Sequence, residues 1–217
     1  MAGVGTHMIK IVTIEREYGS GGGEIAQLLA TQLGWKLWDQ LLTEEIARLA
    51  NCPKAVVEVR EERTDPLYYR LFKSFLRGSY EGSLNAHKLN VVDSESILKI
   101  TEQVVQHAAK KGNCVIVGRG SQQFLRDRSD TLRVFLYAPR EDKVRRILAR
   151  GKTQNEAEHL VDSVDLERHD FIEKYFRVEW PDRAIYHTMI NTAIGDDAVV
   201  HMILDFMKTV DASVMVK

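Results

Sequence analysis

Met8-Ile-Lys-Ile-Val-Thr-Ile-Glu-Arg16-Glu-Tyr-Gly19-Ser-Gly-Gly-Gly23-Glu-Ile-Ala26-Gln-Leu-Leu-Ala-Thr-Gln-Leu-Gly34 decides the fold. Ile9, Ile11, Val12 and Ile14 are mostly β-branched and a glycine cluster follows at once, so Met8 to Glu15 reads as a buried strand. Gly19 to Gly23 is then the turn. From Glu24, the residues Ile25, Ala26, Leu28, Leu29 and Leu33 form a helical stripe, and Gly34 stands where a helix end favours left-handed backbone. A strand, a glycine loop and a helix in direct succession gather backbone N–H groups and a positive helix end where they can cradle a phosphate. The alternative is a flexible surface turn, against which stands the placing of five small residues, Gly19, Ser20, Gly21, Gly22 and Gly23, directly at the helix start.

The alternation continues outward from this unit. Trp35 to Trp38 reads as a second strand ending at Asp39, followed by a helix with Leu42, Ile46, Leu49 and Ala50 on one face. Pro53 to about Lys88 is irregularly helical, with an aromatic stripe from Leu67 to Leu76 before Gly78, Gly82 and Ser83 break it. A helix from about Ser94 to Lys111 leads into the apolar strand Asn113 to Val117, of the kind buried on both faces in parallel sheets. A short helix at Gln122 to Arg126, a strand at Leu132 to Tyr137 and a basic helix from Arg140 to Arg150 come next. A long polar helix from Gln154 to Tyr175, a last strand at His187 to Asn191 and a helix at Asp196 to Lys208 complete the chain. The pattern predicts an α/β fold with an open, mainly parallel sheet, helices on both faces and ligands beyond the carboxyl ends of the strands.

With no repeat and no linker rich in Gly, Pro or Ser, residues 8–217 read as one unit; residues 1–7, whose His7 is followed by Met8, read as a cloning remnant. The composition is 44% hydrophobic and 28% charged across 217 residues, which excludes disordered and low-complexity classes. Its formal charge of -1 offers no basic field to grip nucleic acid. No apolar run reaches the roughly 20 residues of a membrane helix and no signal peptide is evident, so a cytoplasmic protein without a membrane partner is expected. Cys52 and Cys114 form no C-x-x-C and read as reduced packing residues, and the seven histidines show no diagnostic spacing, so no direct metal ligand is assigned.

A dinucleotide site is one reading of Gly19-x-Gly21 with Asp39 as a ribose ligand. Glu24 stands where its third glycine belongs, and three polar residues separate the strand from Gly19, so a mononucleotide phosphate loop fits better.

Thr13 to Ala26, Leu33-Gly34, Trp38-Asp39, Val115-Ile-Val-Gly-Arg-Gly120, Arg133-Val-Phe-Leu-Tyr-Ala-Pro139 and Tyr186-His-Thr-Met-Ile-Asn-Thr192 together resemble the cytidylate-kinase-like family, nearly throughout the chain from Met8. The resemblance implies a P-loop NTPase-type three-layer α/β/α fold, with a monophosphate-binding helical insert at about 53–93 and a helical lid at about 140–178. It implies magnesium-dependent transfer of the ATP γ-phosphoryl group to a nucleoside monophosphate, CMP foremost, in which positioning and charge neutralisation do most of the work.

By the same resemblance Gly19 to Gly23 hold ATP phosphates, Asp39 orients acceptor or hydrated magnesium, and Arg119, Asp165 and Arg168 bind the acceptor nucleotide. Arg145, Arg146 and Arg150 would close on the phosphates. The departures bear on chemistry. In the pattern G-x-x-x-x-G-K-[ST] the lysine meets the terminal phosphates; here Gly22 takes its place, Gly23 that of the hydroxyl residue and Arg16 that of the first glycine. Arg16 is therefore expected to supply the missing charge. Glu24 at the helix start suits the dipole but competes with phosphate, and an alternative role for it is to help hold magnesium through water. The aspartate of the family's Gly-Arg-Asp is Gly120, and the arginine leading its Asp-x-x-Asp-x-x-Arg lid motif is Val161. Plainer roles stay open: a helix cap for Asp39, an ion pair for Arg119, an edge salt bridge for Arg133, a turn for Asn191-Thr192 and a solvated helix for the three lid arginines. So do two other functions, a nucleotide-binding regulatory module and a kinase for a non-nucleotide acceptor.

Overall fold

A computed structural model describes residues 9–49 and 94–214. Five strands, β1 (Ile11–Arg16), β2 (Lys36–Trp38), β3 (Cys114–Val117), β4 (Thr131–Tyr137) and β5 (Thr188–Asn191), form one sheet in the order β2-β3-β1-β4-β5, every pair parallel. β1 is central, with Ile14 opposite Val117 on one side and Val134 on the other. All its residues are buried because helices cover both faces. On one face Val12 and Ile14 pack with α1 (Gly22–Leu33) and α7 (Asp196–Val214). On the other, Ile11 meets α2 (Gln40–Leu49), α3 (Ser94–Lys111) and Phe171 and Ile172 of α6 (Gln154–Phe176). The expected mainly parallel α/β sheet, layered between helices, is what the chain forms.

From β1 the chain crosses to one side of the sheet and later returns to the other, which opens a crevice at the carboxyl end of β1. Above it lie α5 (Arg140–Leu148) and α6, numbered after the single turn α4 (Ser121–Phe124). α5 and α6 have a small core of their own: Val144 and Ile147 pack with Ala157, Val161 and Val164, and Tyr18 of the glycine loop inserts among them. α6 starts at a capping box in which Thr153 and Glu156 satisfy each other's backbone N–H groups.

The insert at about 53–93, its aromatic stripe, Cys52 and Ala50 lie outside the described residues, as do residues 1–7. Cys114 is buried and its thiol is pushed up to about 12 by burial, as a packing residue's would be. No helix among the described residues is long and apolar enough to cross a membrane.

Candidate active site

The loop leaves β1 at Arg16 and enters α1 at Gly22, two residues earlier than the apolar stripe suggested. Gly21 is the cap, at φ 82°, a conformation that costs an ordinary residue about 1–2 kcal/mol. With no side chain at the cap, the first N–H groups of α1 remain available to an anion. Ser20 Oγ donates to the Glu17 carbonyl at 2.8 Å, and Thr192 Oγ1 donates to the Ser20 carbonyl at 2.7 Å, which anchors the loop to the end of β5.

Arg16 explains two glycines at once. Its Cγ and Cβ lie 2.8 and 2.9 Å from where a Cβ on Gly22 would stand, and a Cβ on Gly118 would overlap its guanidinium. The buried side chain is thus threaded between Gly22 and Gly118, in the space that a lysine stem at position 22 would need.

Two clefts meet at this side chain. The first is lined by Glu17, Tyr18, Gly19 and Gly21 to Glu24 of the loop together with Arg16, Arg150 and Arg168. The second is lined by Glu15, Arg119, Gly120, Phe171, Ile172 and Trp180, again with Arg16 and Arg168. Arg16, Arg119 and Arg168 are all buried. Burial lowers Arg119 to about 9 and Arg168 to about 10, and the nearby Arg16 pushes both the same way. Asp39 and Glu15 on Arg119, and Asp165 and Glu15 on Arg168, offset this only in part. Such crowding of cations favours a bound polyanion.

Arg119 sits at φ 61°, between Gly118 at 63° and Gly120 at 65°, so the chain turns sharply off the end of β3. Its Nη2 donates to Thr43 Oγ1 at 2.7 Å, and Thr43 Oγ1 donates to the Asp39 carbonyl at 3.3 Å. Asp39 is 3% exposed, and neither carboxylate oxygen has a hydrogen-bond partner among the described residues. The carboxylate therefore does not act as a helix cap. A buried carboxylate with its oxygens unmet, beside an arginine, is unusual unless a ligand completes it. Asp39 itself lines neither cleft.

Arg145, Arg146 and Arg150, of α5 and the turn after it, diverge. Arg146 pairs bidentately with Asp196 at 2.5 and 3.2 Å, and its Nη1 lies 2.5 Å from where a Cβ on Gly21 would stand. Arg150 pairs with Glu24 at 2.5 Å and lines the first cleft. Arg145 lies apart from both clefts: its side chain is 73% exposed and bound to Asp142 of its own helix. Arg168 Nη1 donates to the Arg16 carbonyl at 2.9 Å, and Asp165 accepts from the Tyr18 N–H at 2.7 Å. Both thus grip the loop, and of the two only Arg168 lines a cleft. Arg133 spends its guanidinium on the carbonyls of Ile185 and Arg126, and Asn191 caps the turn after β5.

Three residues escaped the sequence reading. Lys143, on a helix read as solvated, is buried between Glu17 and Asp165; its clue is its place one turn before the buried Ile147. Glu15, a charge closing an apolar strand, accepts from Gln122 Nε2 at 3.1 Å. Trp180 walls the second cleft from a segment with no periodicity to flag it. His169 Nδ1 stands 3.4 Å from Asp170 and 3.9 Å from Glu173, a half-exposed grouping on the surface of α6.

Residues 11–194 match the model of the cytidylate kinase-like family. No curated protein sequence matches the chain. Among solved structures, an uncharacterised protein from Eubacterium ventriosum is similar over 93% of this chain and 99% of that one, at 20% identity and a TM-score of 0.65. The shikimate kinase of Bacteroides thetaiotaomicron is similar over 91% and 98%, at 14% identity and 0.50. That of Acinetobacter baumannii, in complex with shikimate, is similar over 94% and 95%, at 16% identity and 0.52. At such identities these likenesses are likenesses of fold. The family match spans most of the sequence, and the chain belongs to the cytidylate kinase-like family.

Proposed function

We propose that this kinase-family member transfers the γ-phosphoryl group of ATP to a small phosphate-bearing acceptor in the cytoplasm, a nucleoside monophosphate and CMP foremost. The observation that carries the reading is the meeting of the two clefts at Arg16 and Arg168, with the phosphate loop on one side and Arg119 on the other. ATP phosphates lie along Gly19 to Gly23 and the start of α1, and the acceptor's phosphate lies against Arg119. An acceptor oxygen attacks the γ-phosphorus in line, the bond to the β,γ-bridging oxygen breaks and ADP leaves. Arg16 and Arg168 stand at the junction, where charge on the transferred group is greatest. Arg146 and Arg150 close the donor side and exclude water.

The ion expected with ATP finds two suited groups among the described residues: the unmet oxygens of Asp39 and the unmet Glu24 Oε2 beside the first cleft fit hydrated magnesium, whereas Gly23 brings no hydroxyl. Magnesium bound with ATP would neutralise charge on the β- and γ-phosphates.

Two readings compete on specific residues. Gly22 in place of the lysine favours a nucleotide-binding regulator without efficient transfer, and Gly120 and Val161 favour a non-nucleotide acceptor. ADP production with ATP, magnesium and a panel of nucleoside monophosphates and small alcohols decides among all three. ADP formation dependent on CMP is expected; none with any acceptor, despite ATP binding, points to the regulator, and turnover of an alcohol alone points to the non-nucleotide kinase.

A further inference from the structure

The glycine loop is fastened to α5 and α6 at four successive residues. The Arg16 carbonyl accepts from Arg168 Nη1, and the Glu17 carboxylate takes Lys143 Nζ at 3.0 Å and the Ala138 N–H at 3.4 Å. The Tyr18 N–H donates to Asp165 Oδ1 while its ring is buried in the core between the two helices. Gly19 lies so close to α5 that a Cβ there would stand 3.0 Å from the Lys143 carbonyl. At the centre, Lys143 is the cation between two carboxylates, with its Nζ 3.2 Å from Asp165 Oδ2.

We propose that Lys143 and Asp165 are positioning residues for the donor side. They lock residues 16–19 to α5 and α6, so the base of this helical pair and the phosphate loop move as one body. The loop then meets ATP already in its binding shape. This rests on reading the loop as the donor site, and it places Asp165 on the donor side, where the family resemblance implied the acceptor nucleotide. The charge count supports it: without Lys143 the Glu17 carboxylate loses its cation, Asp165 keeps only Arg168 Nη1 at 3.3 Å, and the Asp165 bond to the Tyr18 N–H loses half of what orients it.

The test compares the full chain with Lys143→Met, Asp165→Asn and Lys143→Arg. If Lys143→Met does not fold, the charge-balanced Lys143→Met/Glu17→Gln replaces it. Amide hydrogen exchange over residues 17–23 is measured without nucleotide, binding of a non-hydrolysable ATP analogue by calorimetry, and acceptor KM by ADP release. Lys143→Met and Asp165→Asn are expected to speed loop exchange and weaken the analogue by roughly ten-fold or more, with acceptor KM within about two-fold and Lys143→Arg recovering most of the loss. Unchanged loop exchange in the folded variants overturns the proposal, as does a rise in acceptor KM with donor affinity intact. A wild-type protein that binds no nucleotide would refute the kinase reading, while the exchange comparison would still decide this one.

Discussion

Positions 16 and 22 exclude each other. A Cβ on Gly22 would lie 2.9 Å from the Cβ and 2.8 Å from the Cγ of Arg16, distances that real Cβ atoms essentially never show. One of the two must be glycine, so an arginine in place of the first glycine and a glycine in place of the lysine are one exchange. Arg16→Gly is expected to lower transfer by roughly 10³-fold, the range associated with a phosphate-clamping arginine, or about 4 kcal/mol of barrier at ~1.36 kcal/mol per decade. The fold should survive, because the loss of packing is accompanied by relief of the repulsion that Arg16 exerts on Arg119 and Arg168. Gly22→Lys alone should also inactivate, since overpacking beside Arg16 costs about 1–3 kcal/mol and displaces the guanidinium. Arg16→Gly/Gly22→Lys rebuilds the pattern G-x-x-x-x-G-K in vacated space, and position 22 requires no left-handed backbone. The double variant is therefore expected to outperform the better single variant by roughly ten-fold or more, an interaction that independent sites would not show. The assay is steady-state ADP release with thermal melts of every variant. Near-normal transfer by folded Arg16→Gly refutes the compensating charge, and a double variant no better than either single one refutes the mutual exclusion.

Gly118→Ala should mimic loss of Arg16 from outside the loop, because its Cβ would displace the guanidinium; a folded variant with full ADP release would count against the threaded position. Asp39→Asn, which keeps the shape but removes the charge, should raise the magnesium concentration required for half-maximal rate, and an unchanged magnesium titration would remove Asp39 from the metal's surroundings. His187 accepts the Arg133 N–H at 3.0 Å through Nδ1, and burial, then Arg133, hold its pKa below the ordinary value. The folded state thus binds this proton less readily than the unfolded chain, and the stability involved is present above roughly pH 6.5 and lost as pH falls through the folded-state value. Melting temperature should therefore drop on acidification less steeply in His187→Gln than in wild type; equal slopes would show that His187 does not titrate against folding.

The elements were legible wherever burial is uniform. β3 is covered on both faces and is apolar throughout, and Ile11, Val12 and Ile14 of β1 and Leu132, Val134, Phe135 and Leu136 of β4 form apolar runs that cannot be mistaken for surface chain. The glycine loop was legible because its backbone demands residues without side chains. α5 gave no such signal, for Arg-Glu-Asp-Lys-Val-Arg-Arg-Ile-Leu is charged almost all round. Arg145 and Arg146 are neighbours in the sequence, yet a helix turns about 100° between them, and one faces solvent while the other lies over Gly21.

Local periodicity and glycine placement, properties of the chain alone, determined the order of strands and helices and the glycine loop between β1 and α1. Tertiary structure decided what those charges do. It threaded Arg16 between Gly22 and Gly118, buried Lys143 and turned Asp165 toward the loop rather than an open cleft. The physical reason is range: helix and strand patterns arise from neighbours a few residues apart, whereas the bond from Tyr18 to Asp165 joins residues 147 positions apart. Its direction depends on how α6 packs over the sheet, and no sequence window contains both ends.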